Sequence, residues 1–336
     1  MLQCGLEETK KILDYFVLDV FSGTRLVGNQ LAVVLNPGTL DSETMKAIAR
    51  EFNLSETTFV ERRDLATERR EGVRVRIFTT EEELPFAGHP TLGTASLLKV
   101  IAPECLVDGA IKLALNVGPI PVRFETPVEG PSTDTPAWPV RGEMTQRDPE
   151  FGEILDQDAV AALTGLKRED FHPKLPIQLV STGAAFAIVP LRSAQSLARL
   201  RVQQAEASEF LRARGARWFY VLGPEDVPAS PGPAKPPQKP RAWRARMQFN
   251  GGEDPATGSA AGCAISFLVR HGAVAPNETI HVRQGVEIAR PSDLFLTAGL
   301  EVDSDAPGNF LLEGRVTNVR VGGSTILVAK GRLFLP

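Results

Sequence analysis

The sequence predicts an α+β protein of two related halves, each a barrel-like, mostly antiparallel sheet wrapped around one central helix. Three observations carry this. Short β-branched and aromatic runs recur between turn residues along all 336 residues. Each half holds one apolar, Ala-rich stretch of helical character. A motif also occurs twice, as His89-Pro90-Thr91-Leu92-Gly93-Thr94-Ala95 and as Asp254-Pro255-Ala256-Thr257-Gly258-Ser259-Ala260, each copy running into its apolar stretch. No regular βαβ alternation is visible, which disfavours a doubly wound parallel sheet.

The first half opens on Ile12–Phe21, a strand by its β-branched and aromatic content, then a turn at Gly28-Asn29-Gln30 and a second strand over Leu31–Leu35. Asp41 or Ser42 can cap a helix in which Met45, Ile48, Ala49 and Phe52 recur at helical spacing. Thr57–Val60 and Val73–Phe78 read as strands, the latter alternating like a half-buried antiparallel one. The charged run Arg62–Gly72 between them reads as a solvated hairpin loop. In the second half, Gln178–Val180, Ala185–Val189, Trp218–Leu222 and Arg244–Phe249 read as strands, with helical patches near Asp158–Leu163 and Glu206–Arg214. The C-terminal stretch alternates strand and turn. Thr126–Asp148, rich in Pro, Thr and charge, is the candidate inter-domain crossing. Gly223–Arg241 is Pro-rich and reads as a flexible surface insertion rather than a peptide-docking segment.

Composition removes whole function classes. A net charge of −4 and a pI near 5.8 offer nothing to nucleic acid or an anionic membrane. No apolar stretch is long enough to span a bilayer, and the N-terminus has no signal-peptide pattern, so a cytoplasmic protein is expected. Cys4, Cys105 and Cys263 are too few and too scattered for a disulfide framework or a metal site. No Gly-x-Ser-x-Gly elbow, Walker motif or dinucleotide glycine fingerprint is present. His89 has no second His or Cys at ligand spacing, which argues against zinc.

What remains is the twin motif. A Pro near a helix start followed by Gly and a hydroxyl residue describes a turn with outward backbone N–H groups, and two such helix mouths face to face would bind a small anion. Glu56 lies where a helix gives way to a strand. Desolvated there, it would have a raised pKa suited to proton shuttling; in water it would be an ordinary loop glutamate. His89 stands at the first mouth as a site residue or a structural histidine, and Glu83 either orients its imidazole or faces water. Asp254 takes the equivalent place in the second copy, where helix capping alone would also explain it. Ser259 and Thr94 can donate to a carboxylate or to their own backbone.

Taken in order, these residues resemble the PhzF-like isomerase family of phenazine biosynthesis, which shares the diaminopimelate epimerase fold. The resemblance runs from about Tyr15 to Phe334. It rests on Asp19-Val20-Phe21 with Gly28-Asn29, Leu54-Ser55-Glu56-Thr57, Glu83–Ala95, Ser181-Thr182-Gly183, Glu253–Ala260, and Gln284-Gly285 with Arg290-Pro291-Ser292. It implies two pseudo-symmetric halves over 11–135 and 136–319, with the last strands, about 320–336, returning to the first. It implies a cleft between them, a homodimer, and neither metal nor cofactor. Glu56 matches the general acid/base; His89 and Asp254 match residues that hold substrate and assist proton delivery. Asn29, Gly88, Thr94, Gly258 and Ser259 are the expected substrate-binding residues. Two-base racemases of this fold carry a cysteine in each helix-mouth motif, at positions corresponding here to Ala87 and Thr257, neither of which is a thiolate base.

Departures from the family pattern bear on substrate rather than on the acid/base group. Gln30 stands where many relatives have Pro, Asn250-Gly251-Gly252 is abbreviated, and the Pro-rich insertion is unusual. The expected activity is an isomerase acting on a small carboxylated, cyclic or unsaturated metabolite. A non-catalytic small-acid binder or scaffold on the same fold would show affinity without turnover. A lyase or cyclase starting from the same proton abstraction would show loss of water or ring closure.

Overall fold

A computed structural model describes residues 11–125, 138–225, 242–249, 252–301 and 314–335. The N-terminal segment with Cys4, residues 126–137 of the expected crossing, 226–241 of the Pro-rich stretch, and Asn250 and Gly251 lie outside the described residues.

The first half comprises β1 (Ile12–Val20), β2 (Asn29–Leu35), α1 (Ser42–Phe52), β3 (Glu56–Glu61), α2 (Leu65–Glu71), β4 (Val73–Phe78), β5 (Glu83–Leu84), α3 (Gly88–Ile101), β6 (Ala110–Leu115), β7 (Gly118–Phe124) and β8 (Val140–Thr145). The second comprises β9 (Glu150–Leu155), α4 (Gln157–Thr164), β10 (Ile177–Ser181), β11 (Ala185–Pro190), α5 (Gln204–Arg212), β12 (Trp218–Pro224), β13 (Ala242–Arg246), β14 (Gln248–Phe249), β15 (Gly252–Glu253), α6 (Gly258–Arg270), β16 (Ile280–Gln284), β17 (Ser292–Glu301) and β18 (Arg315–Phe334).

Strands β1-β2-β3-β4-β6-β7-β8-β18 follow one another by hydrogen bonding, and β18 returns to β1, closing a barrel, so β8, which the expected 136–319 range put in the second half, pairs into the first. From β18 the sheet continues through β17-β16-β13-β12-β11-β10-β9. The long strand β18 serves both halves. Its first part pairs with β17 and β8, and Thr325–Phe334 pairs with β1.

The sheet is mostly antiparallel, yet each half carries two parallel pairs at matching places. They are β2–β3 and β4–β6 in one half, and β11–β12 and β13–β16 in the other. Parallel neighbours need a crossover, and the central helices supply one in each half. Helix α3 joins β4 to β6 and α6 joins β13 to β16. Both are apolar around nearly their whole circumference because strands surround them. Helix α1 and the pair α4 and α5 cover outer faces with separate, smaller cores.

Two local expectations change. The run Arg62–Gly72 is not a solvated loop, because α2 forms inside it. Asp64 caps it by accepting from Thr67 N at 2.9 Å, and Glu68 turns inward, only 2% exposed. Glu68 is compensated by two bonds from Arg62 and one from the Arg63 backbone N–H, so the charge is buried but paired. The run Arg244–Phe249 is not one strand either. It breaks at Met247, where β14 turns off to pair with β15 as a separate ribbon that delivers Asp254. At the other end of the chain's helices, Asp41 is the cap of α1, accepting from Thr44 N. No described helix is long and apolar enough to cross a membrane.

Candidate active site

The mouths of α3 and α6 meet in the middle of the molecule. A Cβ built on Gly88 would lie 2.8 Å from Ser259 N and 2.9 Å from Gly258 Cα, so the two first turns touch backbone to backbone. Neither mouth has a side-chain cap: Ala87 precedes α3 and Thr257 precedes α6, and neither side chain bonds to its helix. First-turn N–H groups of two helices therefore converge on one spot, with the positive ends of both dipoles. Such convergence favours negative charge at that spot.

The contact also corrects the register of the repeat. Gly88 faces Gly258, whereas the sequence frame matches Gly258 to Gly93, which lies inside α3. His89 is already within α3, while Asp254 stands before α6 on the turn leaving β15. Under the structural two-fold the partner of His89 is Ser259. Asp254 is not a helix cap. The sequence frame failed because Pro-x-x-Gly recurs at different depths in the two turns.

Three ionisable groups gather beside the mouths. Glu56, first residue of β3, has a side chain 16% exposed, and its Oε2 lies 3.4 Å from His89 Nε2, whose side chain is 5% exposed. Both atoms are buried without a hydrogen-bond partner. Asn29, at the start of β2, donates to Asp254 Oδ1 and to Ala256 O, both at 2.8 Å, tying the first half to the second. With both amide hydrogens engaged, its 3.2 Å approach to His89 Nδ1 is the weaker contact. Thr257 donates to Asp254 Oδ2 at 2.6 Å. Thr257 thereby orients the Asp254 carboxylate.

Burial dominates the electrostatics. It lifts the Glu56 carboxyl to about 8, with the nearby Asp254 charge adding to the rise. It lifts Asp254 to about 6 against the opposing bonds from Thr257 and Asn29. It drives the His89 imidazole down to about 3, so His89 is neutral near pH 7. These directions fix a stability signature. A folded carboxyl with a raised pKa keeps a proton that the unfolded chain has lost, so stability falls as pH rises from the unfolded value to the folded one. His89, lowered, adds stability as pH rises from about 3 to its ordinary value of 6.5, and Asp254 takes stability away from 3.8 to about 6. Between pH 6.5 and 8 only Glu56 still titrates among the three, and the expected loss is about 2 kcal/mol at ~1.4 kcal/mol per unit. Denaturant melts across that range should show the loss in the wild type and its absence in Glu56→Gln.

Of the expected residues, Glu56, His89, Asp254, Asn29, Gly88, Gly258 and Ser259 come together. Ser259 is partly exposed in the first turn of a helix whose residues from Ala260 to Val269 are all buried. Thr94 does not join them: it is fully buried deeper in α3, with its hydroxyl 2.9 Å from that of Thr58. Glu83 does not orient His89 either. It is held by Arg76 through two bonds and by Asn116, on the surface of β4 and β5.

Sequence reasoning assigned no role to Gln284 or Arg290. Gln284, fully buried, donates to Asp254 O and Thr257 Oγ1 at 2.9 Å each and accepts from Thr257 N, bracing the whole Asp254–Thr257 turn. Arg290 pairs with buried Asp19 and donates to Gly28 O, holding the turn that presents Asn29. The signal was present in the Gln-Gly and Arg-Pro-Ser motifs, but partners so distant in sequence are visible only in the fold. Gln146 likewise caps Gly258 O at 2.8 Å.

A family model described as phenazine biosynthesis-like protein matches residues 18–331. The chain belongs to this PhzF family. It is 32% identical over 333 residues to an uncharacterized isomerase of Mesorhizobium japonicum, covering 96% of this chain and 99% of the relative. It is 32% identical over 324 residues to the trans-2,3-dihydro-3-hydroxyanthranilate isomerase of Pseudomonas aeruginosa, at the same coverage. Among solved structures, a predicted epimerase from Pseudomonas aeruginosa superposes with a TM-score of 0.73 at 33% identity, covering 96% of this chain and 100% of that one. A hydroxyproline epimerase from Agrobacterium vitis, 11% identical with a TM-score of 0.57 and 96% and 93% coverage, shares the fold alone. The chain is thus an isomerase of the PhzF family, on the α+β fold of two pseudo-symmetric halves that its sequence predicts.

Proposed function

We propose that this PhzF-family chain relocates a proton within a small carboxylated, cyclic or unsaturated metabolite, with Glu56 as general acid/base and no cofactor. The observation that carries the reading is the facing pair of buried, unpartnered atoms, Glu56 Oε2 and His89 Nε2, beside the uncapped mouths of α3 and α6. Such atoms are costly unless a ligand completes their bonding. The substrate carboxylate sits at the N–H groups near Gly88 and Gly258, with Ser259 as a donor. Ionised Glu56 removes a proton from a carbon of the substrate, and the electron pair left behind delocalises into the adjoining unsaturation. The carboxyl so formed returns its proton at a second carbon, so atoms and charge balance without an external acceptor. Neutral His89 and Asp254 flank the shuttle and keep substrate and carboxyl aligned, Asp254 being aimed by Asn29 and Thr257. The lack of a cysteine at Ala87 and Thr257 supports relocation over inversion by a thiol pair.

The test is turnover of trans-2,3-dihydro-3-hydroxyanthranilate, the compound named for the Pseudomonas relative, in deuterated water. The expected product is an isomer of unchanged elemental composition carrying deuterium at the new C–H position. Since Glu56 must be ionised to accept a proton, kcat/KM should climb with pH, reach half its maximum near 8 and level off above it. Loss of water or ring closure in the product would replace this reading with a lyase or cyclase. Saturable binding without deuterium uptake would replace it with a binding protein.

A further inference from the structure

The internal two-fold gives Glu56 a counterpart, and that counterpart is an aromatic ring. Glu56 pairs with Leu31 in the parallel ladder of β3 and β2; in the parallel ladder of β12 and β11, Trp218 pairs with Phe186 at the matching place. Each ladder then continues antiparallel into the strand that leads to a central helix, β4 or β13. Side-chain direction agrees. Two residues after Glu56, Thr58 points inward and meets Thr94 of α3. Two residues after Trp218, Tyr220 is fully buried in the core around α6, while Phe219 and Val221 pack on the outer face with α5. Trp218 therefore faces inward as Glu56 does, and it remains partly exposed.

Its surroundings form a surface. Phe249 stands edge-on to Trp218 with centroids 5.8 Å apart, and Phe186 lies behind at 6.1 Å. Phe249 belongs to the ribbon that ends at Asp254, so this aromatic pair and the carboxylate share one support. The neighbouring Arg217 reaches Glu82 of the first half at 3.4 Å, an ion pair between exposed side chains that joins the start of β12 to the turn before β5.

We propose that Trp218, backed by Phe249, is the wall of the substrate cleft opposite Glu56 and selects a flat, unsaturated ring whose carboxylate occupies the helix mouths. At the place matching Glu56 the second half thus carries an indole, which can neither take nor give a proton. It offers instead an apolar face on which a planar ring stacks. This deepens the proposed function and rests on its placement of the substrate.

The chain has three Trp residues, so Trp138→Phe with Trp243→Phe leaves Trp218 as the only indole emitter. Titration with 3-hydroxyanthranilate, an aromatic carboxylate with nothing to isomerise, is expected to change its emission saturably, and cyclohexanecarboxylate at the same concentrations is not. In the otherwise intact chain, Trp218→Ala should raise KM for trans-2,3-dihydro-3-hydroxyanthranilate about tenfold with kcat within about threefold, and Trp218→Phe should recover most of the loss. If removing buried Trp243 unfolds the protein, the emission difference between wild type and Trp218→Phe gives the same readout. No saturable response to 3-hydroxyanthranilate, an equal response to the saturated acid, or an unchanged KM in Trp218→Ala overturns the proposal. The titration needs no turnover, so it stands or falls apart from the role of Glu56: a failed wall with deuterium uptake intact leaves that role standing.

Discussion

Glu56→Gln is expected to lower kcat by about 10³- to 10⁴-fold while leaving KM within a few-fold. Gln keeps the shape of the side chain and its contact with His89, but it can neither take a proton nor give one at accessible pH. Among the described residues, no other group near the mouths offers an equivalent base. His89 is held neutral with its pKa near 3, which makes it a feeble acceptor, and Asp254 has both oxygens engaged by Asn29 and Thr257. The loss should therefore fall on chemistry, with binding through Gly88, Gly258 and Ser259 retained. The measurement is solvent-deuterium uptake under single-turnover conditions, with calorimetric binding as the control. An exchange rate close to wild type would remove Glu56 from the mechanism. A large rise in KM with kcat preserved would recast it as a binding group.

The fold is legible in the sequence where local rules suffice. Val73–Phe78 alternates because one face of β4 meets the core, and α3 and α6 are apolar on nearly every side because sheets enclose them. Asp41 and Asp64 cap their helices through the first-turn N–H groups. Arg62–Gly72 misleads because its charge is genuine; only the tertiary pairing of Glu68 with Arg62 lets a charged segment lie down as a helix. The catalytic candidates are legible as residue types in a motif order, but their mutual geometry is not. Asn29 and Asp254 meet across the two halves, and nothing local announces it. The same holds for Gln284, which reads as a strand end until its amide is seen bracing the Asp254 turn. The repeat shows the limit most sharply. Likeness of letters aligned Gly93 with Gly258, while contact aligned Gly88 with Gly258.

That contact sets the second large expectation, for Gly88→Ala. The added methyl would stand 2.8 Å from Ser259 N and 2.9 Å from Gly258 C and Cα. All three are backbone atoms of a buried helix start, so no side chain can swing away to make room. Relief must come from parting the mouths of α3 and α6 by a few tenths of an ångström or more. Both helices are packed on nearly every side, so that shift strains the core, with an expected destabilisation of about 1–3 kcal/mol. The functional cost should be larger than the stability cost suggests. The converging N–H groups that would hold the substrate carboxylate separate, and His89, the next residue, moves relative to Glu56. A misplacement of about 1 Å costs about 10²-fold in positioned sites, so kcat/KM should fall by about tenfold or more. Gly23→Ala is the control, because its nearest neighbour would be Pro139 Cγ at an ordinary 3.7 Å, and it should stay within about 0.5 kcal/mol of wild type with full activity. Urea melts and steady-state kinetics on the two variants separate the outcomes. A Gly88→Ala protein that loses stability but keeps kcat/KM would show that the helix mouths hold the fold together without holding the substrate.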